Sequence, residues 1–288
     1  MPDLRVSVIL PYYLRLGEGD YQTAQGGEVI HMRPPILEES SPPRTPLWAP
    51  FSLEDSADPD VIQRLRARCA EQLLTRINRL IRWYRAVSRR ADITELTRAQ
   101  VSPFEFAAIE VAPSPEWLAP LAYEQPPPPV HLDAVQTTAA VREGLGTGRD
   151  PGVAELFLLD AERALHQGRF REAVLFCWST IDSVFSRKYD LLVRAALDEE
   201  WATGRDFFLG HEFGMRNKMS AVLHLVANRS LFREPDNLWQ RMTTSYNKRN
   251  DIIHRGENAT EDEAHAALDV ARRIVTVMNA IPAPPVAP

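Results

Sequence analysis

The helical periodicity of the second half of the chain constrains the fold more than any other feature. From residue 151 onward, apolar side chains recur at spacings of three and four, and Gly168 and Gly256 follow two of the periodic segments. Amphipathic helices joined by short loops bury their apolar faces against one another, so we predict an all-α bundle over residues 151–281. The predicted helices span residues 153–167, 170–197, 215–228 and 238–254, and a fifth begins after the capping-box sequence at residues 260–263.

The first third of the chain has a pattern typical of mixed α and β structure. Apolar residues alternate with other residues over 4–10, and shorter strand-like runs stand at 28–32 and 104–111. Residues 34–59 are rich in proline, serine and glutamate and are predicted to form a loop. With one long helix, these strands predict a small mixed α/β domain over residues 1–112, and an α+β fold class for the whole chain.

The long helix begins at Asp58-Pro59-Asp60. Asp58 suits the N-cap, Pro59 suits the first turn, and Asp60 complements the positive end of the helix dipole. Nine arginines but only one acid, Glu71, lie between residues 61 and 90, in a chain whose net charge is −6. This Arg-rich helix is consistent with a polyanion site such as an RNA surface, with a docking face for the acidic half, or with a solvated surface, and the sequence leaves these three open.

Residues 113–150 differ in composition from both halves and are predicted to be a linker. Residues 126–129 are an uninterrupted proline run, which favours polyproline II and resists helix and sheet. Three glycines follow at alternate positions, but no convincing strand precedes them, so we do not expect a phosphate-binding loop. Residues 282–288 are proline-rich and are predicted to form a disordered tail.

Composition restricts the compartment and the chemistry. The 288 residues are 44% hydrophobic and 25% charged, and no apolar run approaches the ~20 residues that span a bilayer. Without a signal-type segment, we expect a cytoplasmic protein with no membrane partner. Cys69 and Cys177 are too few for a disulfide framework and are expected to be buried. The histidines outside residues 246–256 show no metal-ligand spacing, so we predict no metal and no cofactor.

One charged residue interrupts the apolar face of the predicted fourth helix. Helical spacing places Arg249 on the side that should face the core. An arginine does not lose its proton in proteins, so burying it without a partner is costly. Arg249 therefore either pairs with a buried acid, for which Asp182 and Glu172 are candidates, or faces a polar ligand such as phosphate. The residues on this side are Leu238, Met242, Ser245, Arg249, Ile252 and Ile253.

Arg249 and the polar residues beside it form a patch on one flank of the helix. Tyr246, Asn250 and His254 share a line at four-residue spacing, and Arg249 lies on the adjacent stripe. Arg249 and His254 are separated by roughly 140° around a regular helix. Fraying or tightening of the last turn would therefore bring His254 nearer to Arg249.

These residue types suit cleavage of a phosphodiester by the ribose 2′-hydroxyl. A histidine can take the hydroxyl proton near neutral pH, and an arginine can stabilise the charge that develops on phosphorus oxygens. An asparagine can orient an oxygen or the imidazole. DNA lacks the internal nucleophile, so RNA is the expected substrate. One histidine cannot be base and acid at once, and a second copy across a two-fold dimer would supply the missing acid.

The second half of the chain resembles the HEPN domain family. The hallmark of that family is an arginine, a polar residue that is often asparagine, and then a histidine, with four to six residues between the arginine and the histidine. Arg249, Asn250 and His254 match it, with four residues between the first and the last. The apolar residues before His254, the glycine after it and the final amphipathic helix also fit. The likeness covers about residues 151–281 and does not extend to residues 1–112.

The resemblance implies a helical bundle that forms a homodimer and acts as a metal-independent endoribonuclease. Such proteins occur in toxin–antitoxin, phage-defence and RNA-processing systems. Arg249 and His254 would be catalytic and Asn250 would support them. Lys248, Arg255 and Tyr246 would contact RNA, the first two through backbone phosphates.

Other members of the family keep the fold but only bind or scaffold. The alternative function is therefore a catalytically inert, dimeric HEPN-like module that recruits a protein or nucleotide partner. The chain has no nucleotidyltransferase motif of the kind that accompanies some HEPN toxins. We therefore expect any antitoxin or regulatory protein to be a separate chain.

Overall fold

The computed structural model describes residues 3–23, 28–34, 36–38, 41–52, 58–101, 104–108, 134–197, 201–210 and 214–282. The chain divides into two compact units, Met1–Pro151 and Gly152–Pro288. The first unit combines an antiparallel sheet with helices and the second is helical, so the fold class is α+β, as predicted. In the described part, the buried apolar residues of each unit form a separate core.

The described part of the first unit contains one antiparallel sheet. The strand bounds are β1 Asp3–Leu10, β2 Gly19–Gln22, β3 Val29–Met32, β4 Ile36–Glu38, β5 Ser41–Ser52 and β6 Glu105–Ala108. The order across the sheet is β2-β3-β5-β1-β6, and β4 pairs with β5. The strands predicted at 4–10 and 28–32 are confirmed, and the one predicted at 104–111 is confirmed as far as residue 108.

β4 and β5 lie where a loop was predicted over residues 34–59, so that prediction is wrong for residues 36–38 and 41–52. β5 pairs with β1 along the whole of β1, although it contains several prolines. The carbonyl of Pro46 accepts a hydrogen bond from the backbone N–H of Arg33 at 3.2 Å, so the backbone polar groups of Pro46 face β3. Pro50 lies four residues further along the strand and faces the same side. The nitrogens of both prolines, which carry no hydrogen, therefore point toward β3 and away from β1. β3 pairs with β5 over only two residues, and the prolines therefore remove no bond between β5 and β1.

Helix α1, Pro59–Ser88, begins as predicted and packs its apolar stripe on the sheet. The Asp58 side chain accepts a hydrogen bond from the backbone N–H of Asp60 at 2.9 Å, and Pro59 occupies the first turn. Cys69 lies in this core and Cys177 lies in the core of the second unit, and both are free thiols. The α1 and β1 side chains at the centre of the first core are Val6, Val8, Leu10, Leu73, Ile77, Leu80 and Ile81.

Helix α2, Ala134–Gly146, occupies part of the segment predicted as a linker over residues 113–150. It buries Val141 and Leu145 in the core of the first unit, so the linker prediction is corrected for these residues. The short helix was missed because its apolar residues are few and its glycines weaken the helical pattern. The proline run and residues 283–288 of the predicted tail lie outside the described residues.

Several arginines of α1 form ion pairs with acids of the first unit. Asp150 pairs with Arg79 at 3.3 Å and with Arg82 at 3.0 Å. Arg76 pairs with Glu28 at 3.2 Å, and its guanidinium also lies 4.5 Å from the centre of a phenylalanine ring. These acids neutralise part of the basic segment, and the three interpretations of the Arg-rich helix stay open.

The second unit is helical throughout its described elements. The predicted helices are confirmed to within a few residues, and α5 was not predicted. The third predicted helix is a succession of α6, a π-helical turn and α7. The bounds are α3 Val153–His166, α4 Phe170–Ala196, α5 Ala202–Leu209, α6 Met215–Asn217, the π-helical turn Lys218–Val222, α7 Leu223–Ala227, α8 Leu238–Arg255 and α9 Glu261–Ala280.

Helix α4 is central in the second unit and packs against α3, α8 and α9. Trp178 of α4 is buried, and its indole N–H donates to the Ser245 hydroxyl of α8 at 2.9 Å. A buried donor with a partner avoids the desolvation penalty of an unpaired one, so this bond, together with the buried apolar residues of α8, favours one rotation of α8 against α4. It is this rotation that decides where the polar side chains of α8 lie.

Candidate functional site

Helix α8 buries four of the six residues predicted to face the core. Leu238, Met242, Ser245 and Ile252 are buried, whereas Arg249 is half-buried. Ile253 departs from the expectation, since 47% of its surface is exposed. The buried stripe is therefore narrower than the sequence pattern predicted, and Arg249 lies at its edge.

Arg249 lines an open cavity of about 270 Å³. Trp178, Ser179 and Asp182 contribute from α4, at the spacing of one helical face. Tyr246 and Ile253 lie on either side of Arg249 on α8, again at helical spacing. Leu175 and Met215 complete the lining. The cavity thus combines one cation, one acid and two aromatic rings with an apolar wall.

The guanidinium of Arg249 is held by its neighbour in sequence. Its Nη1 donates to the Oδ1 of Asn250 at 3.0 Å. Neither candidate acid pairs with it: Glu172 forms an ion pair with Arg169, and Asp182 accepts a hydrogen bond from the Ser186 hydroxyl at 3.3 Å. Among the described residues Arg249 has no ion-pair partner, so its charge faces the cavity without neutralisation.

Tyr246 is fixed from two sides at the edge of the cavity. Its ring meets that of Trp178 edge-on, with centroids 5.2 Å apart, and the Arg216 guanidinium lies 5.1 Å from its centroid. Arg216 also donates to the Oδ1 of Asn247 at 2.8 Å. Arg216 was not singled out from the sequence, because it is distant along the chain from the motif on α8. It adds a second cation beside the cavity.

His254 lies in the last turn of α8 and is exposed. That turn is closed by Gly256, whose φ of 69° suits glycine, and whose N–H donates to the carbonyl of Ile252 at 3.2 Å. The turn is therefore neither frayed nor tightened, and His254 is not among the residues that line the cavity. The structure brings Arg249, Asn250 and Tyr246 together and leaves His254 on another part of the same helix end.

Lys248 and Arg255, predicted to contact RNA, are engaged in ion pairs. Lys248 is 18% exposed and pairs with Glu263 at 3.1 Å, an acid that also belongs to the capping box of α9. Arg255 is 71% exposed and pairs with Asp251 at 3.0 Å. Lys248 thus connects the end of α8 to the start of α9, while Arg255 remains open to solvent.

The charge around the cavity is predominantly positive. Lys218, at the start of the π-helical turn, donates to the carbonyl of Leu209 at 3.0 Å. Burial lowers the pKa of the Lys218 amine, and the nearby charge of Asp182 acts in the opposite direction. Asp182 is the single acid in the described lining of the cavity. An anionic ligand is therefore favoured at the Arg249 end, and a hydrogen-bond donor is favoured near Asp182.

In the described part of the chain, no group of three or more His, Cys, Asp or Glu side chains has the arrangement of a metal site. None of the described helices combines the length and apolar character needed to cross a membrane.

Comparison with protein-family models, with curated proteins and with solved structures gave no match.

Proposed function

We propose that the protein is a metal-independent endoribonuclease of the HEPN type, which cleaves RNA by attack of a ribose 2′-hydroxyl on the adjacent phosphate. The 2′-hydroxyl loses its proton to a base, the bond from phosphorus to the 5′-oxygen of the next nucleotide breaks, and that oxygen takes a proton from an acid. The observation that carries this proposal is the state of Arg249. Its guanidinium lines an open cavity, is oriented by Asn250, and has no ion-pair partner among the described residues. A positioned and unpaired arginine is suited to the charge that develops on a cleaved phosphodiester.

His254 is the proposed general base. Its exposure at the end of α8 allows it to reach a bound strand, and an imidazole can take the proton of the attacking hydroxyl. Asn250 holds the Arg249 guanidinium. Arg255 would contact a backbone phosphate, because an exposed ion pair such as Arg255–Asp251 contributes little and exchanges its partner readily. Lys248 would have to leave Glu263 to do the same.

A homodimer through the helical bundle would complete this site. His254 does not line the Arg249 cavity of its own chain, and one histidine cannot serve as both base and acid. A second copy would place a second His254 near the scissile phosphate. The exposed Ile253, next to both groups, would lie in the dimer seam. In a toxin–antitoxin or phage-defence setting, a separate antitoxin or regulatory protein would control the activity in the cytoplasm.

The experiment is incubation of purified protein with transfer RNA and total RNA in the presence of a chelator. We expect cleavage that leaves 2′,3′-cyclic phosphate ends, and we expect His254→Ala and Arg249→Ala to lower its rate by about 100-fold or more. His265→Ala is the matched control, because His265 is an exposed histidine on α9 that lies 3.8 Å from Glu261 and does not line the Arg249 cavity. Cleavage at the wild-type rate by His254→Ala protein with an intact fold would contradict the proposal.

The second candidate is a catalytically inert HEPN-like dimer that recruits a protein or nucleotide partner. The observation that favours it is the separation of His254 from the Arg249 cavity, together with the ion pairs that engage Lys248 and Arg255. This candidate predicts no RNA cleavage by the wild-type protein under any metal or salt condition. It also predicts a specific ligand whose binding is weakened by Arg249→Ala and is unaffected by His254→Ala.

A further inference from the structure

The Arg249 cavity holds two opposite charges that do not neutralise each other. Arg249 and Asp182 both line it, yet they form no ion pair. Arg249 donates a hydrogen bond to Asn250, and Asp182 accepts one from Ser186. A guanidinium offers only donors and a carboxylate offers only acceptors. A ligand that pairs with both side chains therefore carries an anionic group for Arg249 and hydrogen-bond donors for Asp182.

The remaining wall restricts the ligand further. The rings of Trp178, which is buried, and of Tyr246 line the cavity, and Leu175 and Met215 add apolar side chains. Its volume of about 270 Å³ lies just below the ~300–1,000 Å³ range of small-molecule sites, so the ligand is small. A flat aromatic ring system with a phosphate, of the size of one nucleotide, matches this combination.

We infer that the cavity selects guanosine nucleotides, with the phosphate on Arg249 and the base edge on Asp182. Among the four RNA bases, guanine alone presents two adjacent donors on its Watson–Crick edge, N1–H and the N2 amino group. These two donors match the two oxygens of a carboxylate. Adenine, cytosine and uracil place an acceptor next to their donor, which would oppose one oxygen of Asp182.

The inference rests on the proposed function, because it names the base beside the phosphate that Arg249 would hold. Asp182 is then a specificity-determining residue, which acts on the choice of base and takes no part in proton transfer. RNA cleavage would occur next to guanosines in single-stranded segments, where the base can leave its neighbours and enter the cavity.

Binding of mononucleotides by full-length protein tests the inference without any cleavage step. Calorimetric titration is made with guanosine, inosine, adenosine, cytidine and uridine monophosphates, each as the 3′ and the 5′ isomer. Inosine is guanosine without the N2 amino group. We expect guanosine monophosphate to bind about tenfold more tightly than inosine monophosphate, the effect of one hydrogen bond to a charged group. The tighter isomer shows on which side of the base the phosphate lies.

Asp182→Asn should reduce the preference for guanosine over inosine to less than about twofold, because it replaces one acceptor with a donor. Asp190→Asn is the matched control on the same helix, since Asp190 lies outside the cavity and pairs with Arg194. Equal binding of all five bases, binding of none, or an unchanged preference in Asp182→Asn would each overturn the inference. Guanosine-selective binding without RNA cleavage would overturn the proposed nuclease and leave the inferred site in place. RNA cleavage without guanosine-selective binding would overturn the inferred guanosine site and leave the proposed nuclease in place.

Discussion

Neighbouring acids decide which arginines of this protein are available to a ligand. Arg79 and Arg82 share Asp150, whereas Arg249 faces a cavity that contains Asp182 without pairing with it. All three arginines occupy intermediate positions on amphipathic helices, and helical spacing alone treats them alike. To tell an arginine that forms a structural ion pair from one that is available to a ligand, the positions of the acids in the tertiary structure must be known. These acids come from elsewhere in the chain.

The ion pairs of Asp150 should give the first unit a stability that depends on pH. Burial acts to raise the pKa of Asp150, but hydrogen bonds and charge from Arg82 and Arg79 outweigh it and hold the pKa below its usual value. A lowered folded-state pKa contributes stability above the unfolded pKa of about 3.9, and this contribution is lost as the pH falls through the folded pKa. Asp150→Asn should therefore destabilise the protein at pH 7, by less than about 1 kcal/mol because the carboxylate is partly exposed.

Urea unfolding of the wild type and Asp150→Asn at pH 7 and at pH 3 measures this effect. The two unfolding midpoints should differ at pH 7, and the difference should be smaller at pH 3, which lies below the unfolded-state pKa. Added salt should also narrow the difference at pH 7, because exposed charges are screened. A difference that is the same at both pH values would show that Asp150 acts through packing and not through its charge.

At the scale of single elements, local chemistry marks some boundaries clearly. Asp58 caps α1, and Thr260 and Glu263 form the capping box of α9, as the sequence predicted. These signals involve residues within one turn of each other, so they act independently of the rest of the fold. Helix α2 buries Val141 and Leu145 in the core of the first unit, and this packing stabilises it.

The contact of α2 with α1 makes a sharp prediction at Gly144. A Cβ added there would lie 2.4 Å from the ring of Trp83, and a rigid ring cannot move aside without disturbing the core. Gly144→Ala should destabilise the first unit by about 1–3 kcal/mol, the usual range for overpacking. Thermal unfolding followed by circular dichroism measures the change.

Gly146→Ala is the matched control in the same helix, because a Cβ at Gly146 would meet nothing within 4 Å. Alanine restricts the unfolded chain more than glycine does, so this variant should be neutral or up to about 1 kcal/mol more stable. Equal destabilisation by the two substitutions would mean that Trp83 does not restrict α2.

At the scale of the whole molecule, the chain builds two cores. In the described part, the buried apolar residues of the first unit lie between Val6 and Leu145, and those of the second lie between Leu158 and Ile281. A unit with its own core and its own capped helices can fold without the rest of the chain. The separation also confines the Arg249 cavity to the second unit, since all of its lining residues lie there.

A fragment of residues 152–288 should therefore fold by itself. We expect a helical circular dichroism spectrum and a single cooperative thermal transition. Under the proposed function, the fragment should also retain some cleavage of RNA and the ability to dimerise. A fragment with the spectrum of an unfolded chain would contradict the independence of the second core.

The sequence by itself determined the long helices, their caps and the candidate motif at the end of α8. Those features depend on hydrogen bonds and side-chain contacts between residues a few positions apart. The spacing of residues in the sequence therefore predicts them directly. Only the tertiary structure decided that proline-rich residues 41–52 form a central strand. Pro46 and Pro50 are tolerated there because β3 pairs with β5 over only two residues and needs no N–H group from either proline. The tertiary structure alone also placed Asp182 across a cavity from Arg249 and left His254 outside it, because the rotation of α8 against α4 is set by packing between distant residues.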